Sequence, residues 1–232
     1  AWNSRQLAQN TFLLSIGIAY LFISAFDLIH TLTYSGMGVF QGFDSNLPTQ
    51  LWIAARYMES VSLLMASLMI GRKLKPGFVF SGYIIVTAVL LGSIFYLQIF
   101  PICFIEGTGL TAFKKVSEYI ISLLLLVSGL VLFNKRDEFE PNVLRLLIAA
   151  IAVTISSELA FTLYTDPYGI FNILGHYLKI VSFYLVYKAI VETGLKKPFT
   201  LLFRDIKKSN DALHHAKENL ELQVDMRTSE LS

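Results

Sequence analysis

Charge is scarce in this chain and cysteine almost absent. Only 16% of its 232 residues are charged, against about 25% in an ordinary soluble domain. That deficit argues against a water-soluble enzyme, and no nucleic-acid partner is expected. A single cysteine, Cys103, excludes an internal disulfide and any cysteine-based metal cluster within one chain. Proline is rare too: Pro48, Pro76, Pro101, Pro141, Pro167 and Pro198 all fall in expected loops or helix starts, where a missing N–H costs little. The N-terminus lacks the charged, apolar, then small-residue layout of a signal peptide. No HExxH motif and no recognisable nucleophile is found, and the catalytic motifs of kinases and cyclases are missing, so this segment itself is not expected to be an enzyme.

What is plentiful is apolar surface. Hydrophobic residues make up 54% of the chain and its mean hydropathy is +0.58. Apolar runs of about twenty residues recur, each long enough to cross a hydrocarbon core of about 30 Å. Inside a bilayer, unpaired backbone groups force such runs into helices or a closed barrel. Their length, without period-two alternation, selects helices. The sequence therefore predicts an all-α, polytopic transmembrane bundle with six spans, at 11–32, 49–71, 77–100, 115–134, 142–164 and 170–193. An upstream span, expected from the abrupt start "AWNSR", would make seven helices with an external N-terminus.

Basic residues set the orientation. Arg72, Lys73 and Lys75 follow the second span, Lys135 and Arg136 the fourth, and Lys196 and Lys197 the sixth. The loops at 33–48 and 165–169 hold no basic residue, and only Lys114 and Lys115 break the trend. The positive-inside rule places the start of the first span and the end of the sixth in the cytoplasm, with Trp52, Tyr164 and Tyr168 in the outer aromatic belt. Lys188 and Glu192 can snorkel at the cytoplasmic boundary.

Given that topology, the intramembrane polar residues gather in the outer leaflet. Asp27 and His30 lie on the first span, Arg56 and Glu59 on the second, Glu118 on the fourth, Glu158 on the fifth, and His176 and Lys179 on the sixth. Asp27/His30, Arg56/Glu59 and His176/Lys179 are i,i+3 pairs and share a helix face. Asn172, Ser182, Ser122 and Thr162 extend those stripes. Six formal charges turned to lipid would cost on the order of 10 kcal/mol, so these faces must turn inward and meet. Counting Arg56 and Lys179 against Asp27, Glu59, Glu118 and Glu158 leaves −2. Protonated histidines, neutral carboxyls or a bound cation are the candidates to balance it.

Blander readings stand beside this one. Arg56 and Glu59 read as a structural ion pair, Asp27, Glu118 and Glu158 as interfacial groups, and a single helical His as a packing residue. Two histidines in one leaflet suggest ligands for haem or a transition-metal ion at His30 and His176, with Asp27, Glu59 or Glu158 in support. His214 and His215 read as solvated helix surface.

From Phe199 the text turns polar, free of Pro and Gly. Ile206, Leu213 and Leu220 recur every seven residues, with Asn210, Lys217, Val224 and Leu231 at the complementary positions. This weak heptad seam predicts a parallel, dimeric cytoplasmic coiled coil leading to a further domain, the alternative being a single amphipathic helix lying on the membrane domain. The expected domains are 1–198, a transmembrane bundle, and 199–232, a linker helix.

The segments "FDLIHTLTYSGMGVF", "LPTQLWIAARYMES", "FPICFIEGTGLTAFKKVSEYII" and "ELAFTLYTDPYGIFNILGHYLKIVSFYLVYKAIVETGL" resemble the third type of membrane-associated sensor domain, over essentially residues 1–205. That family is an integral membrane module of bacterial and archaeal sensor histidine kinases and diguanylate cyclases. The resemblance implies an input module in a prokaryotic cytoplasmic membrane, relaying helix repacking to an output domain, and assigns no roles to His30 or His176. Its expected partners are the bilayer, a second copy and a small ligand or cofactor. The rival readings are a transporter or ion-conducting bundle, whose broken helices, repeat and inner-leaflet polar route are not found, and a small membrane metalloenzyme.

Overall fold

The computed structural model describes residues 2–72, 74–163 and 169–191. Six helices account for most of them: α1 (Trp2–Leu32), α2 (Asn46–Leu68), α3 (Pro76–Leu91), α4 (Ala112–Asn134), α5 (Pro141–Ala160) and α6 (Ile170–Val191). Sequence explains where several begin. Pro76 and Pro141 open α3 and α5, where no intrahelical bond is lost. Thr111 caps α4, its hydroxyl accepting from the Lys114 N–H at 3.2 Å.

Five of the helices are long and apolar enough to cross a membrane: Thr11–Leu32 within α1, Pro76–Tyr96, and the whole of α4, α5 and α6. The protein is thus a multi-pass helical membrane protein. The second span expected from sequence, 49–71, is present as the helix α2, but α2 does not qualify by composition. The reason is its position. Seventeen of its 23 residues are buried, including Arg56, Glu59, Ser60, Ser62 and Ser67, and it packs against α1 and α4. A helix solvated by other helices has no need of an apolar circumference. α3 is the opposite case: no residue of it is buried, and it presents Phe78, Ile84, Ile85 and Val89 outward.

The expected third span, 77–100, ends early. After Leu91 the chain makes one π-helical turn (Gly92–Tyr96), and Gln98 then adopts a positive φ of 52°. The following loop contains a short antiparallel pair, β1 (Phe104–Ile105) and β2 (Gly109–Leu110), which the all-α expectation lacked. α2 holds this loop down. Gln50 donates its amide to the Phe100 and Pro101 carbonyls at 2.9 and 3.1 Å, and the Asn46 side-chain oxygen accepts from the Cys103 and Phe104 N–H groups.

Cys103, within that loop, is fully buried, and burial pushes its thiol up to about 12. The thiolate is the reactive form, so maleimide is expected to leave the folded protein unlabelled at neutral pH and to label it on unfolding. A thiol-reactive dye then reports unfolding directly. Labelling of the folded chain within minutes would contradict this burial. Because the unfolded chain gives up this proton first, the thiol's contribution to stability is present at neutral pH and lost as pH rises from about 9 to about 12.

The chain divides after Ile190 into two units, Ala1–Ile190 and Val191–Ser232. The heptad seam at 206–231, His214 and His215, Lys196, Lys197 and Glu192, and the belt residues Tyr164 and Tyr168 lie outside the described residues, as does Lys73.

Candidate functional site: a buried ion network beside a histidine pair

α2 supplies the centre. Arg56 and Glu59, one turn apart, share a face, and the guanidinium Nη1 donates to Glu59 Oε2 at 2.6 Å. Its Nη2 pairs with Asp27 of α1. Lys179 of α6 reaches the same Glu59 Oε2 at 2.5 Å and Glu158 Oε1 of α5 at 3.3 Å. Tyr20 of α1 donates its hydroxyl to Glu59 Oε1 at 3.0 Å. One network thus ties α1, α2, α5 and α6. Arg56 and Glu158 are 0% exposed, Glu59 1% and Lys179 4%. Ions so fully desolvated lose several kcal/mol each in hydration, which only close, multiply bonded partners offset.

The site holds a cation that sequence reading placed elsewhere. Lys114, taken as a loop residue breaking the orientation trend, lies in the first turn of α4 and is 1% exposed. It pairs with Glu118 one turn on and donates to the Phe161 carbonyl at 3.2 Å. The i,i+4 spacing of the outer residues of "KKVSE", Lys114 and Glu118, was the available signal. Three cations against four carboxylates leave the cluster at −1 rather than the −2 expected. Asp27 Oδ2 is buried with no hydrogen-bond partner among the described residues, and the Glu118 and Glu158 carboxyls meet each other, a contact that one proton between them would satisfy.

The two histidines meet beside this network. Their ring centroids are 6.1 Å apart, tilted by 34°. His30 Nδ1 lies 2.7 Å from the Pro48 carbonyl; a carbonyl only accepts, so Nδ1 carries the hydrogen. Its Nε2 is buried without a partner among the described residues, as is the Trp52 indole N–H. A cavity of about 20 Å³ opens among His30, His176, Trp52, Thr49, Lys114 and Asn172, room for about one water molecule. Haem does not fit this arrangement, since pockets for ligands of that class run from about 300 Å³. Among the described residues no three His, Cys, Asp or Glu side chains converge as metal ligands, so an ion on the histidine pair would lack a third protein ligand from that set.

Trp52 joins the two halves of the site. Expected in the outer aromatic belt, it is instead 6% exposed. The Arg56 guanidinium sits 4.5 Å over its ring, and both histidine rings pack 5.2 Å from it. Burial of α2 overrides the interfacial preference of indole. All eight residues selected from sequence are accounted for: Asp27, Arg56, Glu59, Glu158 and Lys179 in the network, Glu118 with Lys114, and His30 with His176 at the cavity. Tyr20, Trp52, Lys114 and Gly175 were missed.

Gly175 matters because α6 crosses the Phe161 ring there. A Cβ at this position would come within 2.5–2.8 Å of three ring atoms, while Ser157 of α5 donates to the Gly175 carbonyl at 2.8 Å. Ser182 and Thr154 continue the contact one level away, their hydroxyls 2.5 Å apart. Gly175→Ala must displace Phe161, which itself packs on Trp52 and His176. The expected cost is about 1–3 kcal/mol by thermal unfolding, with partial recovery when Phe161→Leu is added. An unchanged Tm would show that α6 does not sit this close.

A family model described as a membrane-associated sensor domain (MASE3) matches residues 1–198. Neither a curated protein nor a solved structure matches the chain.

Proposed function

Because the chain belongs to the MASE3 family of membrane-associated sensor domains, we propose that it is the membrane input module of a histidine kinase or diguanylate cyclase, with the buried ion network and histidine cavity as the place where the signal enters. In this reading the C-terminal segment 199–232 is cytoplasmic, pairs with that of a second copy and hands the signal to the output domain.

The observation that carries the reading is the position of Lys179. A single ammonium on α6, the helix that leads into residues 192–232, is shared between carboxylates of α2 and α5. Anything that changes the charge or hydration of Glu59, Glu158 or the neighbouring cavity changes how firmly α6 is held. The cluster's formal −1 and the meeting of the Glu118 and Glu158 carboxyls leave it one positive charge short. A proton or a small cationic or hydrogen-bonding ligand completes it, and couplings of about 1–3 kcal/mol suffice to shift a two-state output. The cavity's size favours such a ligand over haem.

The test joins this chain to a cyclase or kinase output domain in liposomes. His30→Gln, His176→Gln and Lys179→Met are each expected to lock the output high or low and abolish its response to external pH or ligand. Output that responds normally in all three variants would overturn the assignment, as would solute flux through the unmodified chain. A Soret band or stoichiometric metal in protein purified without chelators would restore the cofactor version of the site.

A further inference from the structure

We propose that the groove between α2 and α3 is a binding site for an anionic phospholipid, one acyl chain lying in the groove and the headgroup on Arg72 and Lys75. The groove has a volume of about 470 Å³ and is walled by Val61 and Met65 of α2 and by Phe78, Val79, Val86 and Leu90 of α3. It exists because α3 stands away from the bundle. α3 is fastened to α1 by Tyr83 stacking on Phe22 at 5.6 Å and Phe80 meeting the same ring at 5.2 Å, and to α2 by the Tyr83 hydroxyl donating to Ser62 at 2.5 Å. These contacts bridge the space without filling it.

Three features select the occupant. The walls are apolar, and in a membrane hydrocarbon fills such a space at no desolvation cost whereas water does not. From Phe78 to Leu90 the groove runs twelve residues along α3, about 18 Å at 1.5 Å per residue, close to one leaflet's share of a roughly 30 Å core. Finally, the end of the groove marked by Phe78 adjoins the α2–α3 turn, where Arg72 and Lys75 are exposed. Basic side chains at the membrane surface beside an interhelical groove attract anionic headgroups. A second protein copy or a neutral quinone has no use for this charge.

The experiment uses the whole chain in nanodiscs of equal phosphatidylglycerol and phosphatidylethanolamine, released into mild detergent, with retained lipids counted by native mass spectrometry. Phosphatidylglycerol is expected to be enriched over bulk by roughly fivefold for each basic side chain engaged. Arg72→Gln/Lys75→Gln, both at exposed positions, is expected to return the ratio to one while lipid adducts persist. Gly82 lines the groove and a Cβ there meets no atom within 4 Å, so Gly82→Phe adds a ring to the groove wall and is expected to abolish the adducts; circular dichroism and elution volume check that it folds. Equal retention of the two lipids by the unmodified chain overturns the proposal. So does a phosphatidylglycerol adduct that survives either variant unchanged, or a neutral isoprenoid quinone retained in its place.

Discussion

Glu59→Gln lowers the stability of the bundle by about 3–5 kcal/mol, the cost of breaking a buried ion pair from one side. Among the described residues Glu59 is the one carboxylate that meets both Arg56 and Lys179, and it accepts from Tyr20 as well. Glutamine keeps the volume but brings an amide NH₂ against two cations and removes the charge that compensated them. At this chain length 1 kcal/mol corresponds to roughly 2–4 °C, so the thiol dye on Cys103 should report a Tm lower by on the order of 10 °C. Adding Lys179→Gln removes one stranded cation, and the double variant should be less damaged than the two single changes summed, by about 1–3 kcal/mol. Strict additivity would mean that the ammonium and Glu59 do not interact in the folded protein.

Arg56→Met is the second large effect, again about 3–5 kcal/mol. Its mechanism differs. Glu59 keeps Lys179, but Asp27 loses the cation that faces it, and Trp52 loses the guanidinium stacked over its ring. Arg56→Lys restores the charge without the planar fork that joins Asp27 and Glu59 simultaneously, and is expected to recover less than half of the loss. The Asp27→Asn/Arg56→Met pair separates the two contributions, because it removes the stranded carboxylate too. If the pair is as unstable as Arg56→Met alone, the Asp27 contact carries no weight and the Glu59 contact and the indole stacking carry the loss between them.

Much of this site was legible in the sequence because intramembrane charge is so costly that its mere presence implies a partner. The i,i+3 spacings of Arg56/Glu59 and His176/Lys179 also fixed which residues leave a helix on the same side. Lys114 was misplaced because a basic residue next to an expected loop is ordinarily interfacial, and only the path of α4 against Phe161 shows it to be buried. Gly175 gave no signal, since a glycine in a helix is informative only once the ring that crosses it is known. The pair of strands at 104–105 and 109–110 is shorter than any period that a pattern can register.

The amino-acid sequence by itself determined that this is a multi-pass helical membrane protein, which residues share each helical face, and which charges had to be buried together. Those follow from the price of polar groups in hydrocarbon and from a fixed 3.6-residue turn, both local properties. Only the tertiary structure decided that α2 is the interior helix, that Glu59 rather than Asp27 or Glu158 is the shared acceptor, that Trp52 is an inner wall instead of a belt residue, and that α3 stands off far enough to leave a groove. The rotation and height of one helix against another are set by interdigitating side chains from distant parts of the chain, and no periodicity within a single helix encodes them.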